Sequence, residues 1–238
     1  MPPEDVWVID VTTRPQLLDL AIRMCVRQYI KLYAPSLSHD RSHSYFASSL
    51  RSSRVLLAVG ATSNHSKVQA LGTASVRLRN EVTHRLEFME LLTPDVGWDS
   101  FSECGFDARI AAESCRFAYS DTCDGNTDEA VLRRITVFRR LHNASHLLLE
   151  QYGYNQLWAV LPLHVAMFIK HYCYVPVVQA AGIQLNEEHG KLFDEYPGYW
   201  REGHPGLYRT GYPTTVELFL THDPNARVNS EVSNESDT

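Results

Sequence analysis

Residues 112–119 read AESCRFAY, an apolar run that predicts a buried strand and carries two charges, Glu113 and Arg116. Charged groups are costly to bury unless they are paired or used, so we expect the functional site at this strand. In a regular strand, residues three apart face opposite sides of the sheet. Glu113 and Arg116 can therefore serve one site only if the strand bulges between them, at Ser114 or Cys115.

A long helix is predicted after this strand and a polar loop. Residues 126–129 read NTDE and have the form of a capping box at a helix start, with Asn126 as the cap. Apolar residues then recur at helical spacing until Gly153, a residue typical of helix ends. His142 and His146 lie four residues apart on this helix, but the Glu of a zinc-protease motif is missing. We expect both histidines at the surface.

The remaining elements follow from apolar periodicity and turn residues. Strands are predicted at 6–11, 54–60, 68–79, 86–92, 155–161, from 175 onward and at 214–220. Helices are predicted at 16–33, 45–50 and 162–173, and a Gly, Pro and Tyr-rich loop at 188–212. This order predicts an α/β (α+β) single domain over 1–221, a central mixed twisted sheet of about 6–7 strands flanked by helices. Residues 222–238 are polar and are predicted to be disordered.

Composition restricts the class of protein. The chain has 238 residues and a net charge of -6, which argues against a nucleic-acid binder. It contains no apolar run of about 20 residues, so we predict no membrane span, and its first residues lack the features of a signal peptide. Five cysteines without a CxxC motif indicate free thiols rather than a metal site or disulfide framework. These features predict a cytoplasmic protein without a metal.

Four segments carry a resemblance to a known family. They are RMCVRQY at 23–29, GTASVRL at 72–78, ESCRF at 113–117, and PLH at 162–164 with Phe168 and YVP at 174–176. Together, in this order of elements, they resemble the GNAT superfamily of N-acyltransferases. More narrowly, they are similar to the branch of acyl-homoserine lactone synthases and long-chain N-acyl amino acid synthases. The likeness covers roughly residues 6–180, and its most specific part is the Glu-x-x-Arg-Phe strand.

The resemblance implies a GNAT-like fold and an acyl transfer from a carrier thioester to a small amine, such as an amino acid. The co-substrate would be an acyl-phosphopantetheine thioester, on acyl carrier protein or coenzyme A (CoA), and no cofactor would be bound permanently. Two other functions stay open. One is a non-catalytic ligand-binding or sensor protein on the same fold, and the other is a CoA-dependent acetyltransferase.

Acyl transfer to an amine needs a base and stabilisation of the oxyanion, and the resemblance suggests residues for both. The predicted catalytic residues are Glu113, His164 and Glu90. The predicted substrate-binding residues are Arg27, Arg77, Arg116, Ser114 and Cys115. Glu113 and Arg77 could instead have purely structural roles. Glu113 would then form an ion pair with Arg116 or Arg27, and Arg77 would form a salt bridge.

The donor is predicted from the start of the long helix. The glycine-rich pyrophosphate loop of ordinary acetyltransferases is missing, and Asp124, Asp128 and Glu129 would repel phosphate there. CoA is therefore disfavoured, and an acidic carrier protein would find cations on the following helix. The predicted carrier-binding residues are Arg133, Arg134, Arg139 and Arg140, with a solvated basic face as the alternative. Arg23, Arg27 and Lys31 form a basic stripe on the first helix, interpreted as a solvated face.

Overall fold

The structure is a computed structural model, and it describes residues 6–33, 39–61, 68–78, 86, 101, 103–180 and 205–212. Several predictions lie outside these ranges: the strand at 86–92 apart from Leu86, the strand at 214–220, the tail at 222–238, and Glu90. Within the described ranges, no helix combines the length and the apolar character needed to cross a membrane.

Among the described residues, seven strands form one sheet in the order β1-β2-β3-β4-β5-β7-β6. The strands are β1 (Val6–Asp10), β2 (Arg54–Ala61), β3 (Val68–Arg77), β4 (Ala111–Tyr119), β5 (Gln156–Pro162), β6 (Val177–Gln179) and β7 (Pro205–Thr210). The helices are α1 (Pro15–Tyr33), α2 (His39–Arg51), α3 (Asp128–Gln151) and α4 (Leu163–Tyr172), with a 3₁₀ turn at Asp121–Cys123. Strands β4 and β5 are parallel and all other pairs are antiparallel. The predicted mixed α/β sheet is confirmed.

Helices cover both faces of the sheet. Helices α1 and α2 pack on one face, where Ala21 and Cys25 of α1 are buried together with Val55 and Leu57 of β2. Helix α3 covers the opposite face, against residues of β2, β3 and β4. Side chains alternate between the two faces along each strand, so position in a strand decides which helix a side chain meets.

Two predictions of local secondary structure are wrong. Strand β7 lies within the predicted loop at 188–212, where Leu207 and Tyr208 are buried between β5 and β6. The segment contains Pro205 and Gly206, so its strand is fixed by its neighbours in the sheet rather than by local propensity. The cap of α3 is Thr127, one residue after the predicted Asn126, and its Oγ1 accepts a hydrogen bond from Ala130 N.

The two histidines of α3 are buried, and the prediction that they lie at the surface is wrong. His142 Nε2 lies 2.9 Å from Gly211 O, and His146 Nε2 lies 3.2 Å from His142 Nε2. A carbonyl only accepts, so His142 Nε2 carries the proton that it donates to Gly211 O. The His146 ring also packs on Tyr212, whose hydroxyl donates to Glu150. This cluster joins α3 to the segment that follows β7.

Gly72 of β3 allows α3 to approach the sheet closely. A Cβ atom at this position would lie 2.6 Å from Val137 Cγ1 and 3.1 Å from Ala118 O. We expect Gly72→Ala to lower the free energy of unfolding by about 1–3 kcal/mol, measured by urea denaturation. Gly211→Ala is the matched control, because the nearest heavy atom, Pro176 Cβ, would lie 3.5 Å away. Equal losses in the two variants would contradict the prediction.

Candidate functional site

Strand β4 contains a bulge. Between the pairs Ser75–Cys115 and Thr73–Ala118, β3 has one residue and β4 has two. Arg116, one of those two, has a φ of 53°, in the left-handed region that non-glycine residues rarely adopt. A bulge was predicted between Glu113 and Arg116, at Ser114 or Cys115; the strand does bulge, but at Arg116 and Phe117.

The backbone of Arg116 is held from α1. Cys25 Sγ lies 3.5 Å from the Arg116 carbonyl oxygen and donates to it. Burial raises the pKa of the Cys25 thiol to about 12, although the charge of Arg116 opposes this shift. The thiol therefore keeps its proton, and Cys25 acts as a hydrogen-bond donor that supports the bulge.

The bulge brings Arg116 to the face of the sheet that α2 covers. Arg116 Nη2 donates to Tyr45 Oη at 2.5 Å, and Arg116 Cζ lies 5.0 Å from the centroid of the Tyr45 ring. Glu113 lies directly opposite Arg77 of β3 in the strand register. Arg77 reaches the C-terminal end of α2, where its Nη2 donates to Ser49 O at 3.3 Å and to Ser52 Oγ, just after the helix, at 2.8 Å. Glu113, Arg77 and Arg116 therefore share one face.

Glu113 is buried, with 5% of its surface exposed. Directly opposed side chains of an antiparallel pair have Cβ atoms about 5 Å apart, so Arg77 is the cross-strand neighbour of Glu113. Arg27, the other predicted partner, is exposed on α1 and forms an ion pair with Asp121. The structure therefore brings Glu113 together with Arg77 and Arg116, and places Arg27 at a separate contact.

The other two predicted residues of β4 lie on opposite faces of the sheet. Cys115 shares the face of Glu113, and Ser75 Oγ lies 2.8 Å from its carbonyl oxygen and 3.2 Å from its Sγ. Ser114 has the same orientation as Ala112, which packs in the core under α3. Only Cys115 therefore adjoins the three charged residues.

Strands β4 and β5 separate beyond Glu113. Their parallel pairing extends from Ala111–Gln156 to Glu113–Trp158, and β5 then continues alongside β7. The rest of β4, up to Tyr119, has no strand partner on this side among the described residues. The result is a wedge-shaped opening, which we call the β4–β5 opening, with Glu113 at its closed end and Tyr119 at its mouth.

An apolar cluster borders the β4–β5 opening on the side of α3 and α4. Its buried members are Phe138, Ile169, Cys173 and Val175. Partly buried side chains around them include Phe117, Tyr119, Leu161, Val165 and Phe168. Because these rings and chains are only partly covered, the cluster offers an apolar surface beside the opening.

The loop after β4 is less negative than its sequence suggests. Two of its acidic residues have cationic partners, Arg27 with Asp121 and Lys31 with Asp124 at 2.7 Å, and Glu129 in the first turn of α3 pairs with Arg133 at 3.0 Å. The basic stripe of α1 is therefore not simply a solvated face, because two of its members contact this loop. The contact with Asp124 raises the pKa of Lys31.

Two of the predicted carrier-binding arginines bind backbone carbonyls of the same loop. Arg133 Nη1 donates to Thr122 O at 2.8 Å. Arg134 Nη1 donates to Cys123 O at 2.9 Å and to Gly125 O at 2.7 Å. Arg139 and Arg140 lie further along α3 and are half-buried. A carrier protein would therefore meet arginines that already support the loop.

His164 lies apart from Glu113. It is exposed in the first turn of α4. Trp158, the β5 partner of Glu113, precedes the end of β5 by four residues, or about 13 Å of strand. Within the described ranges, no group of three or more His, Cys, Asp and Glu side chains is placed to hold a metal ion.

Sequence reasoning missed two residues at this site. Tyr45 is the α2 partner of Arg116, and the sequence predicted only a short helix at 45–50 there. Gln28 of α1 accepts a hydrogen bond from the backbone N–H of Tyr119. Gln28 follows Ala21 and Cys25 on the buried stripe of α1, and a polar residue on an apolar stripe signals a specific partner.

Three solved structures resemble this chain over most of its length. The acyl-homoserine lactone synthase LasI matches with a TM-score of 0.52 and 14% identity, over 87% of this chain and 88% of that chain. FeeM, an N-acyl amino acid synthase from uncultured soil microbes, matches with a TM-score of 0.52 and 14% identity, over 87% and 91%. BjaI, a CoA-dependent acyl-homoserine lactone synthase, matches with a TM-score of 0.50 and 13% identity, over 86% and 81%.

No model of a known protein family matches the sequence, and no curated protein matches it. At these identities the solved structures establish the fold. The chain therefore has the GNAT fold, in the form that acyl-homoserine lactone synthases and an N-acyl amino acid synthase share.

Proposed function

We propose that this protein is an N-acyltransferase that moves a long-chain acyl group from a phosphopantetheine thioester to the amine of an amino acid or a similar small molecule. The observation that carries the proposal is the position of Glu113. It is buried at the closed end of the β4–β5 opening and shares a face with Arg77 and Arg116.

Glu113 is the proposed base. The acceptor amine attacks the thioester carbonyl, a C–N bond forms, and the ammonium proton passes to the Glu113 carboxylate. The tetrahedral intermediate then expels the thiolate, and the C–S bond breaks. The proton leaves with the thiol, so the products are an amide and a free phosphopantetheine thiol. Backbone N–H groups at the bulge are the proposed donors to the oxyanion.

The charges around Glu113 support an acceptor with a carboxylate. Arg77 and Arg116 place two cations on the same face as Glu113. Their contacts include neutral hydroxyl groups, on Ser52 just after α2 and on Tyr45 of α2. Guanidinium groups bind carboxylates with two parallel hydrogen bonds, which would orient the acceptor amine toward Glu113.

Both thioester donors stay in the proposal. Carrier protein and CoA present the same pantetheine arm, which has amide groups and can pair with a strand edge as an added strand does. The mouth of the β4–β5 opening offers such an edge. The ion pairs of Asp121, Asp124 and Glu129 weaken the charge argument against CoA. The apolar cluster around Phe138 is the proposed place for the acyl chain.

The test is an activity assay with mass-spectrometric detection. We expect an N-acyl product when the protein is incubated with acyl carrier protein or acyl-CoA donors and a panel of amino acids. Donors with long and short chains distinguish a long-chain synthase from an acetyltransferase. The absence of product with every donor would contradict the proposed acyltransferase activity. If a donor binds in that case, the result would favour the sensor alternative.

A further inference from the structure

The mouth of the β4–β5 opening contains a contact from α1. Ser120 N donates to Leu71 O of β3, and Tyr119 lies opposite Gly72 in the register. Successive residues of a strand direct their backbone groups to opposite sides, so the N–H of Tyr119 points away from β3 and into the opening. The Oε1 atom of the Gln28 side chain accepts a hydrogen bond from this N–H.

The contact belongs to a set of three from the C-terminal half of α1. Arg27 pairs with Asp121 and Lys31 pairs with Asp124, at the loop that follows Tyr119. Gln28 lies between Arg27 and Lys31 in the sequence, and its side chain is half-buried. The two ion pairs hold α1 over the mouth, and Gln28 is the member of the set that reaches the strand edge.

We propose that Gln28 is a gating residue of the donor site, which binds the Tyr119 N–H until an amide of the pantetheine arm displaces it. The side-chain amide of Gln28 and the amide of a pantetheine arm present the same acceptor, a carbonyl oxygen, to the same donor. The Tyr119 N–H can donate a full hydrogen bond to only one of these two carbonyl oxygens. Binding of the pantetheine amide therefore requires the Gln28 side chain to move away. The inference rests on the proposed function, because it uses the same opening for the donor.

Gln28 acts on binding rather than on the chemical step. Five residues of β4 separate Tyr119 from Glu113, and the bulge makes them span about 17 Å of sheet. A change at Gln28 is therefore expected to alter donor affinity. Two substitutions have opposite expected effects: Gln28→Ala removes the competitor, and Gln28→Glu strengthens it, because a carboxylate is the stronger acceptor.

The experiment uses NMR on the full chain with pantetheine, the arm that both donors share. Without pantetheine, we expect the Tyr119 amide to exchange with deuterium about tenfold faster in Gln28→Ala than in the unchanged protein. With pantetheine, we expect the dissociation constant to fall about threefold to tenfold in Gln28→Ala and to rise in Gln28→Glu. Gln16→Ala, at an exposed position of the same helix, is the control and should change neither quantity.

Each other outcome overturns the inference. Unchanged exchange at Tyr119 in Gln28→Ala would show that the contact does not protect this amide. Faster exchange with an unchanged dissociation constant would show that donor and Gln28 do not compete. A lack of pantetheine-induced shifts in all the proteins would exclude this edge as the donor site. None of these measurements needs turnover, so a failure of the proposed function, an absence of acylated product, is recognised separately.

Discussion

Glu113→Gln is expected to lower kcat by about 100-fold or more, because the amide cannot accept the proton of the attacking amine. Glutamine has nearly the same shape, so the packing beside Trp158 at the closed end of the β4–β5 opening is retained. The measurement is steady-state kinetics with the donor and acceptor found in the activity assay. KM for the donor should change little, because the donor contacts are at the mouth of the opening.

The control is Glu103→Gln, which alters an exposed carboxylate and should leave kcat unchanged. Thermal unfolding of both variants separates a catalytic loss from a folding defect. Unchanged turnover in Glu113→Gln, in a folded protein, would remove Glu113 from the role of base.

The protein is expected to lose stability steeply in mild acid because of His142 and His146. Burial lowers the pKa of His142 to about 3, with a further effect of His146, and burial lowers the pKa of His146 to about 4. In the unfolded chain both titrate near their ordinary pKa of about 6.5. Below that pH the unfolded state binds protons that the folded state does not, so stability falls as the pH falls.

The expected loss is about 5 kcal/mol between neutral pH and about pH 4.5, comparable with the whole stability of many domains. Urea denaturation as a function of pH measures it. His146→Gln should lose about half of this pH dependence, and His171→Gln, at an exposed position of α4, should lose none of it. Should the first variant fail to fold, NMR titration of the unchanged protein decides. Imidazole signals of His142 and His146 that titrate near pH 6.5 would contradict the prediction.

The elements with strong periodicity were predictable from the sequence, and so was the bulge. Helix α1 and strand β4 follow from local patterns, and the opposite orientation of residues three apart in a strand required a bulge if Glu113 and Arg116 share a site. The bulge itself is a tertiary feature. Its position at Arg116 depends on contacts from Cys25 and Tyr45, which lie far away in the sequence.

Other features depend on contacts that no local pattern reports. Strand β7 contains Pro205 and Gly206 and is formed by its position between β5 and β6. The histidines of α3 are adjacent to its apolar stripe, and the segment with Gly211 and Tyr212 packs against them. Gln28 stands out as a polar residue on the buried stripe of α1, but the sequence does not identify its partner, the N–H of Tyr119.

The bulge in β4 also determines which changes in length the strand can accept. Beyond Arg116, every side chain lies on the face opposite to the one that an unbulged strand would give it. Deleting one residue at this point would move the Ala118 side chain from the α1 face of the sheet to the α3 face. It would move the side chains of Phe117 and Tyr119 from the α3 face to the α1 face. An alignment with an unbulged strand therefore needs a gap at Arg116. Without it, core residues would be matched to positions on the wrong face.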